Sequence, residues 1–217
     1  MTSSTDLAAL MCSRLCHDML SPVGALNNGL ELLATETDPV MRARIVELLE
    51  QSARASANKL KFFRLAFGAA GGFGEQVDVT EAHELIESLT SANERLRLDW
   101  AVAERSLSKS AIKTLLNLAA IGIDALVRGG TLFIGAECTA GKTEIVIRAE
   151  GPKIAFDDNI GLALAGQLVI ADLSGRTAPA HMLYMLAKEK GGTIQSALAS
   201  DALVLGAELP DGEGLIG

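Results

Sequence analysis

The sequence predicts an α+β fold in two parts: a long N-terminal helical hairpin that forms a dimeric four-helix bundle, followed by an α/β sandwich of helices on a mixed sheet. Three observations carry this reading. Apolar positions recur at Cys12, Cys16, Met19, Val23, Leu26, Leu30 and Leu33 in alternating steps of four and three, the spacing of a helix seam. The run Gly68-Ala69-Ala70-Gly71-Gly72-Phe73-Gly74 then breaks all periodicity. Beyond it, short alternating segments separate helical ones. The hairpin is therefore assigned to residues 1–70 and the sandwich to 75–217.

The first helix is expected from about Asp6 to Ala34, with Pro22 removing one backbone donor and favouring a kink. Thr35-Glu36-Thr37-Asp38-Pro39 reads as a turn, with Asp38 as N-cap and Pro39 at the first helical position. A second helix to about Phe67 presents Ile45, Leu49, Ala53, Ser56, Leu60, Phe63 and Phe67 on one face. Two such helices carry more apolar surface than a single neighbour covers. Pairing two hairpins about a two-fold axis is the economical solution, so a homodimer is expected.

After the glycine run, Asp78-Val79-Thr80-Glu81 resembles a capping box opening a helix to about Asn93. Leu96 to Val102 alternates as a strand, with Leu96, Leu98, Trp100 and Val102 on one face. Ser108 or Ser110 caps a long apolar helix that ends at Arg128-Gly129-Gly130. Thr131–Ile134 and Glu144–Ile147 form paired strands around a turn at Ala140-Gly141. A helix from about Ala180 to Lys190, closed by Gly191-Gly192, precedes a final hairpin of Thr193–Ser196 and Ala202–Leu209. No internal repeat or low-complexity tract is evident.

Composition excludes several classes. Net charge is −8 and the sequence pI about 4.9, and no basic cluster reverses the balance, which argues against nucleic acid as the main ligand. Hydrophobic residues make up 49% but aromatics only 4%, so the core must be aliphatic. No apolar run approaches the ~18 residues of a membrane span. Met1 to Asp6 lacks the basic and apolar regions of a secretory signal. Three cysteines, Cys12, Cys16 and Cys138, make no disulfide framework, and a cytoplasmic location is expected. Cys12 and Cys16 fall on the seam and are expected as ordinary core cysteines.

His17, followed by Asp18, lies more than a quarter-turn from the seam at 100° per residue. Arg14, Ser21, Gly24 and Asn28 share its flank, so His17 stands on an open strip. Two readings stay open on spacing alone: a solvated surface histidine, or a reversible nucleophile for phosphoryl transfer. A neutral imidazole offers a lone pair at neutral pH. Asp18 can hold its tautomer, and Ser21, one turn on, can hydrogen-bond near a phosphoryl group or serve merely as a helix serine before Pro22. His83, among Glu81, Glu84 and Glu87, and His181, between Ala180 and Met182, fit solvated or structural roles. There is no zinc-binding H-E-x-x-H or paired C-x-x-C spacing, no G-x-S-x-G and no Walker loop.

The run His17-Asp18-Met19-Leu20-Ser21-Pro22 resembles the phosphoacceptor box of sensor histidine kinases. The second module resembles their ATP-binding domain with its catalytic residues removed. Asn117 begins an N-box pattern whose second asparagine, a Mg²⁺ ligand in kinases, is Ile121. Ile147-Arg148-Ala149-Glu150-Gly151-Pro152 follows the V-x-D-x-G-P box, with Ala149 in place of the adenine-reading aspartate. Arg176 to Tyr184 carries no G-x-G lid, although Lys190-Gly191-Gly192-Thr193-Ile194 keeps the frame. Such a chain is similar to the ChpT family of histidine phosphotransferases.

That resemblance implies a phosphotransferase without kinase or ATPase activity. His17 would accept a phosphoryl group from the receiver aspartate of a hybrid histidine kinase. It would then pass the group to response-regulator aspartates in a cell-cycle phosphorelay. No cofactor would be bound by this chain, Mg²⁺ coming with the partner receiver. Arg14, Gly24 and Asn28 would be docking contacts, and neither nucleic acid nor membrane would be a partner. The rivals are an ATP-dependent kinase with an unusual pocket and a non-enzymatic dimeric scaffold for receivers.

Overall fold

A computed structural model describes residues 4–68 and 76–210. Helix α1, Ser4–Thr35, and helix α2, Pro39–Phe67, form the hairpin. The turn is built as expected: the Asp38 carboxylate accepts from Val40 N–H at 3.1 Å, and Pro39 sits at the helix start. Arg42 seals the other end of the turn, donating to the carbonyls of Leu33 and Glu36 at 2.9 and 2.7 Å, two of the groups that a helix C-terminus leaves unmet. Gly29 lets the two helices approach, since a Cβ there would lie 2.7 Å from the Leu49 side chain.

The hairpin of one chain does not cover the whole expected seam. Cys12 and Cys16 are exposed in it, as are Val23 and Leu30. Within one chain, α2 covers the adjacent stripe of α1, where Pro22 is buried and Leu15, Met19, Leu26 and Leu33 are half-buried. A single neighbouring helix shields only part of the apolar arc, and the cysteine-bearing side is left open. Val46, Leu48 and Leu60 leave α2 similarly exposed.

The second module comprises strand β1 (Gln76–Asp78), α3 (Val79–Ser91), β2 (Leu96–Val102), β3 (Ser106–Ser108), α4 (Lys109–Ala125), β4 (Gly130–Thr139) and β5 (Lys142–Glu150). It continues with α5 (Asp158–Leu164), a 3₁₀ turn at Ile170–Asp172, α6 (Ala178–Lys190), β6 (Thr193–Leu198) and β7 (Ala202–Pro210). The sheet order is β2-β4-β5-β7-β6, parallel between β2 and β4 and antiparallel elsewhere. Strands β1 and β3 pair separately. Four of these elements, β1, β3, α5 and the 3₁₀ turn, go beyond the expectations from sequence. Among the described residues no helix is long and apolar enough to cross a membrane.

Local chemistry explains the joints. Asp78 caps α3, accepting from Thr80 N–H at 2.7 Å, but Glu81 pairs with Arg64 of α2 at 2.8 Å. Ser108, not Ser110, caps α4 through Ala111 N–H at 3.2 Å. That helix ends at Ala125, three residues before Arg128, and the chain turns into β4 through Gly129 (φ 86°) and Gly130 (φ 144°). A Cβ on Gly130 would lie 2.2 Å from the Glu150 carbonyl oxygen, so only glycine fits. Ala140 and Gly141 both have positive φ, the two-residue hairpin turn that suits strand twist.

Helix α4 is the centre of the core, with Ile112, Leu115, Leu116 and Leu118 almost fully buried against Leu132, Ile145, Ile147 and Leu205 of the sheet. The same apolar cluster takes in Phe62, Phe63 and Ala66 from the end of α2. The expected boundary at Gly68–Gly74 lies, apart from Gly68, outside the described residues. On either side of it the two modules share one core.

Candidate functional site

His17 emerges from the middle of α1 with its side chain 84% exposed. Its Nδ1 lies 3.2 Å from Asp18 Oδ1. A carboxylate offers only lone pairs, so Nδ1 is the donor in this contact, and in the neutral ring the lone pair then belongs to Nε2. Asp18 is itself held from the other side. Arg14 Nε donates to Asp18 Oδ2 at 2.6 Å, an i,i+4 pair made possible by helix geometry. Burial opposes the charge on Arg14, yet Asp18 and Asp124 more than compensate and raise its pKa.

Pro22 shapes the backbone beneath the imidazole. Its missing N–H would leave the carbonyl four residues earlier, that of Asp18, without its helical partner. Lys59 of α2 fills the gap, its Nζ donating to Asp18 O at 2.9 Å. A cation and a second helix thus fix the turn that carries His17.

Ser21 and Asn28 are exposed on the same side of α1 as His17. A Cβ on Gly24 would meet nothing within 4 Å, so the strip is open there. From His17 to Asn28 it runs about 16 Å along the helix axis. Arg14, expected as a docking contact, is 28% exposed and engaged with Asp18 and, at 3.5 Å, with Asp124 of α4. The i,i+4 relation of Arg14 and Asp18 was a signal in the sequence. Nothing local marked Asp124 or Lys59, whose roles depend on tertiary proximity.

His83 stacks against Trp100 with ring centroids 4.5 Å apart, a packing role. Burial pushes the His181 imidazole below its usual pKa, and its Nδ1 is enclosed without a partner. Among the described residues no group of three or more His, Cys, Asp or Glu could hold a metal ion.

The nucleotide-handling positions of the kinase-like frame do not fit ATP. Asn117 is 2% exposed, and its amide donates to the Ala66 and Lys113 carbonyls at 3.2 and 2.8 Å, tying α4 to α2. Ile121 packs against the apolar core and offers no oxygen to a cation. Ala149 is fully buried and faces Gly122 of α4, whose Cβ would lie 3.7 Å from its own. No carboxylate is available there to read an adenine amino group. Gly175 abuts α1, where an added Cβ would sit 3.6 Å from Leu10 O and 3.7 Å from Arg14 N. Thr177 is buried and bonded to Ser174.

Comparison with known proteins agrees with this arrangement. Residues 79–202 match the family model of the histidine phosphotransferase C-terminal domain. The chain is 34% identical over 209 residues to protein phosphotransferase ChpT of Brucella abortus (strain 2308), covering 95% of this chain and 97% of that protein. A bacterial phosphotransferase structure at 1.7 Å superposes with a TM-score of 0.82 at 32% identity, covering 95% of this chain and 98% of the other. A histidine kinase domain from Erythrobacter litoralis EL346 shares the fold alone, with a TM-score of 0.50 at 6% identity over 88% of this chain and 94% of that one. The emptied nucleotide frame behind an exposed histidine therefore has a family: this chain belongs to the ChpT-like histidine phosphotransferases.

Proposed function

We propose that His17 is the phosphoryl carrier of a phosphorelay, accepting from the receiver aspartate of a hybrid histidine kinase and donating to response-regulator aspartates. The observation that carries this reading is the imidazole itself, 84% exposed with its Nδ1 on Asp18 Oδ1 at 3.2 Å, which leaves Nε2 as the nitrogen to react. In the forward step the Nε2 lone pair attacks phosphorus of the aspartyl phosphate. The P–N bond forms, the P–O bond to the aspartyl group breaks, and the aspartate leaves as a carboxylate. Asp18 stabilises the positive charge that the ring gains. The second transfer reverses these bonds on another receiver. The receiver brings the divalent cation that offsets charge on the phosphoryl oxygens, and this chain supplies a positioned nucleophile.

Ser21 donates to a phosphoryl oxygen in this account, while Gly24 and Asn28 receive the docked receiver. Arg14 acts through Asp18. Residues 1–70 carry phosphoacceptance and dimerisation, and 75–217 form the degenerate ATPase-like part. The open stripe of Cys12, Cys16, Val23 and Leu30, with Val46 and Leu48 of α2, suits a second copy of the hairpin. The free thiols of Cys12, Cys16 and Cys138 fit a reducing cytoplasm.

The test incubates the purified chain first with labelled ATP and Mg²⁺, then with a labelled phospho-receiver. Acid-labile label from the receiver alone, absent in His17→Ala, supports the reading. Label from ATP alone would make it a kinase, and label from neither a scaffold.

A further inference from the structure

A continuous line of contacts joins the second module to the phosphoacceptor. Asp124, on the last turn of α4, lies 3.5 Å from Arg14 Nη2. The same guanidinium reaches Asp18 Oδ2 with Nε at 2.6 Å, and Asp18 Oδ1 meets His17 Nδ1 at 3.2 Å. Both oxygens of Asp18 are thus engaged on opposite sides. A long arginine side chain has much rotamer freedom to lose, and Asp124 supplies the second anchor that fixes it. The backbone at Gly175 closes on α1 beside Arg14, so two segments of the second module, this loop and the end of α4, meet α1 at this point.

We infer that Asp124 is a positioning residue for His17, acting through Arg14 and Asp18, so that the degenerate ATPase-like module holds the phosphoacceptor imidazole in its attacking orientation. The inference rests on the proposed role of His17. It assigns the second module a task that needs no nucleotide. Charge order favours the arrangement, because alternation of carboxylate, guanidinium, carboxylate and imidazole gives each group an opposite or hydrogen-bonding neighbour. A purely local Arg14–Asp18 pair on α1 would be indifferent to Asp124.

The test uses full-length Asp124→Asn and Asp124→Glu chains. Imidazole nitrogen NMR reads the tautomer of His17, assigned by loss of its signals in His17→Ala. Potassium phosphoramidate, a small donor that needs no docking, reads the rate of His17 phosphorylation. The expected result is a lower Nδ1–H fraction in Asp124→Asn and phosphorylation slower by about tenfold, the lower end of what losing an outer partner costs at a liganding histidine. Asp124→Glu restores both. Wild-type tautomer and rate in Asp124→Asn, or equal defects in the Asn and Glu variants, would overturn the inference. If the wild-type chain takes phosphate neither from phosphoramidate nor from a phospho-receiver, the His17 reading fails, while the tautomer shift still decides the positioning role.

Discussion

Replacing Lys59 by Met keeps an unbranched side chain of similar length but removes the ammonium that bonds Asp18 O at 2.9 Å. A hydrogen bond from a charged donor contributes about 1.5–3 kcal/mol net, and this one is only part-buried, so a loss of about 1–2 kcal/mol is expected. The cause can be isolated because the carbonyl lacks its helical partner only through Pro22. In Pro22→Ala the residue regains an N–H four positions after Asp18, which can close the ordinary helical bond. Lys59→Met should therefore cost roughly 1 kcal/mol less in the Pro22→Ala background than in the wild type, a coupling of the size seen for residues sharing a hydrogen bond. Urea unfolding of the four proteins at one fixed concentration gives the cycle. An equal cost in both backgrounds would refute the link between Pro22, the Asp18 carbonyl and Lys59.

Other consequences follow from single contacts. Gly130→Ala forces a Cβ against the Glu150 carbonyl at positive φ and should lose about 3 kcal/mol or more in urea unfolding. Partial loss of solvation beside α1 raises the Asp124 carboxyl from its ordinary value against the pull of Arg14 and Arg176, a modest effect on a side chain that is 63% exposed. In the window just above the ordinary carboxylate pKa, the native chain then binds more protons than the unfolded one, so stability falls as pH rises through it. Asp124→Asn should remove that fall when unfolding midpoints are compared from about pH 4 to about pH 7. Val23→Glu places a charge on the open stripe of α1, where Val23 is 50% exposed in the single chain, and should reduce the sedimentation mass from two chains to one.

Much of the fold was legible because its punctuation is chemical. Asp38-Pro39, Ser108, Ala140-Gly141 and Gly191-Gly192 each set a backbone geometry that few other residues allow, and each stands where expected. Strands β1 and β3 are three residues each, too short for periodicity to register. Helix α5, at seven residues, had no apolar stripe long enough to count. Cys12 and Cys16 are exposed in the single chain because periodicity identifies an apolar face without saying which neighbour covers it. At the site, exposure of His17 followed from helix angles, and its pairing with Asp18 from the adjacency of an imidazole and a carboxylate. Asp124 and Lys59 did not, since α4 and α2 reach His17 only through tertiary packing around Phe62, Phe63 and Ala66. The same packing gives Asn117 its present structural role.

The most direct test of the His17 assignment is the chemical form of the phosphorylated chain. Phosphorus NMR after transfer from a phospho-receiver should show one phosphoramidate, on Nε2 of His17, stable in base, labile in acid and missing from His17→Ala. Phosphate on Nδ1, where Asp18 stands, or on any other residue, would contradict the account.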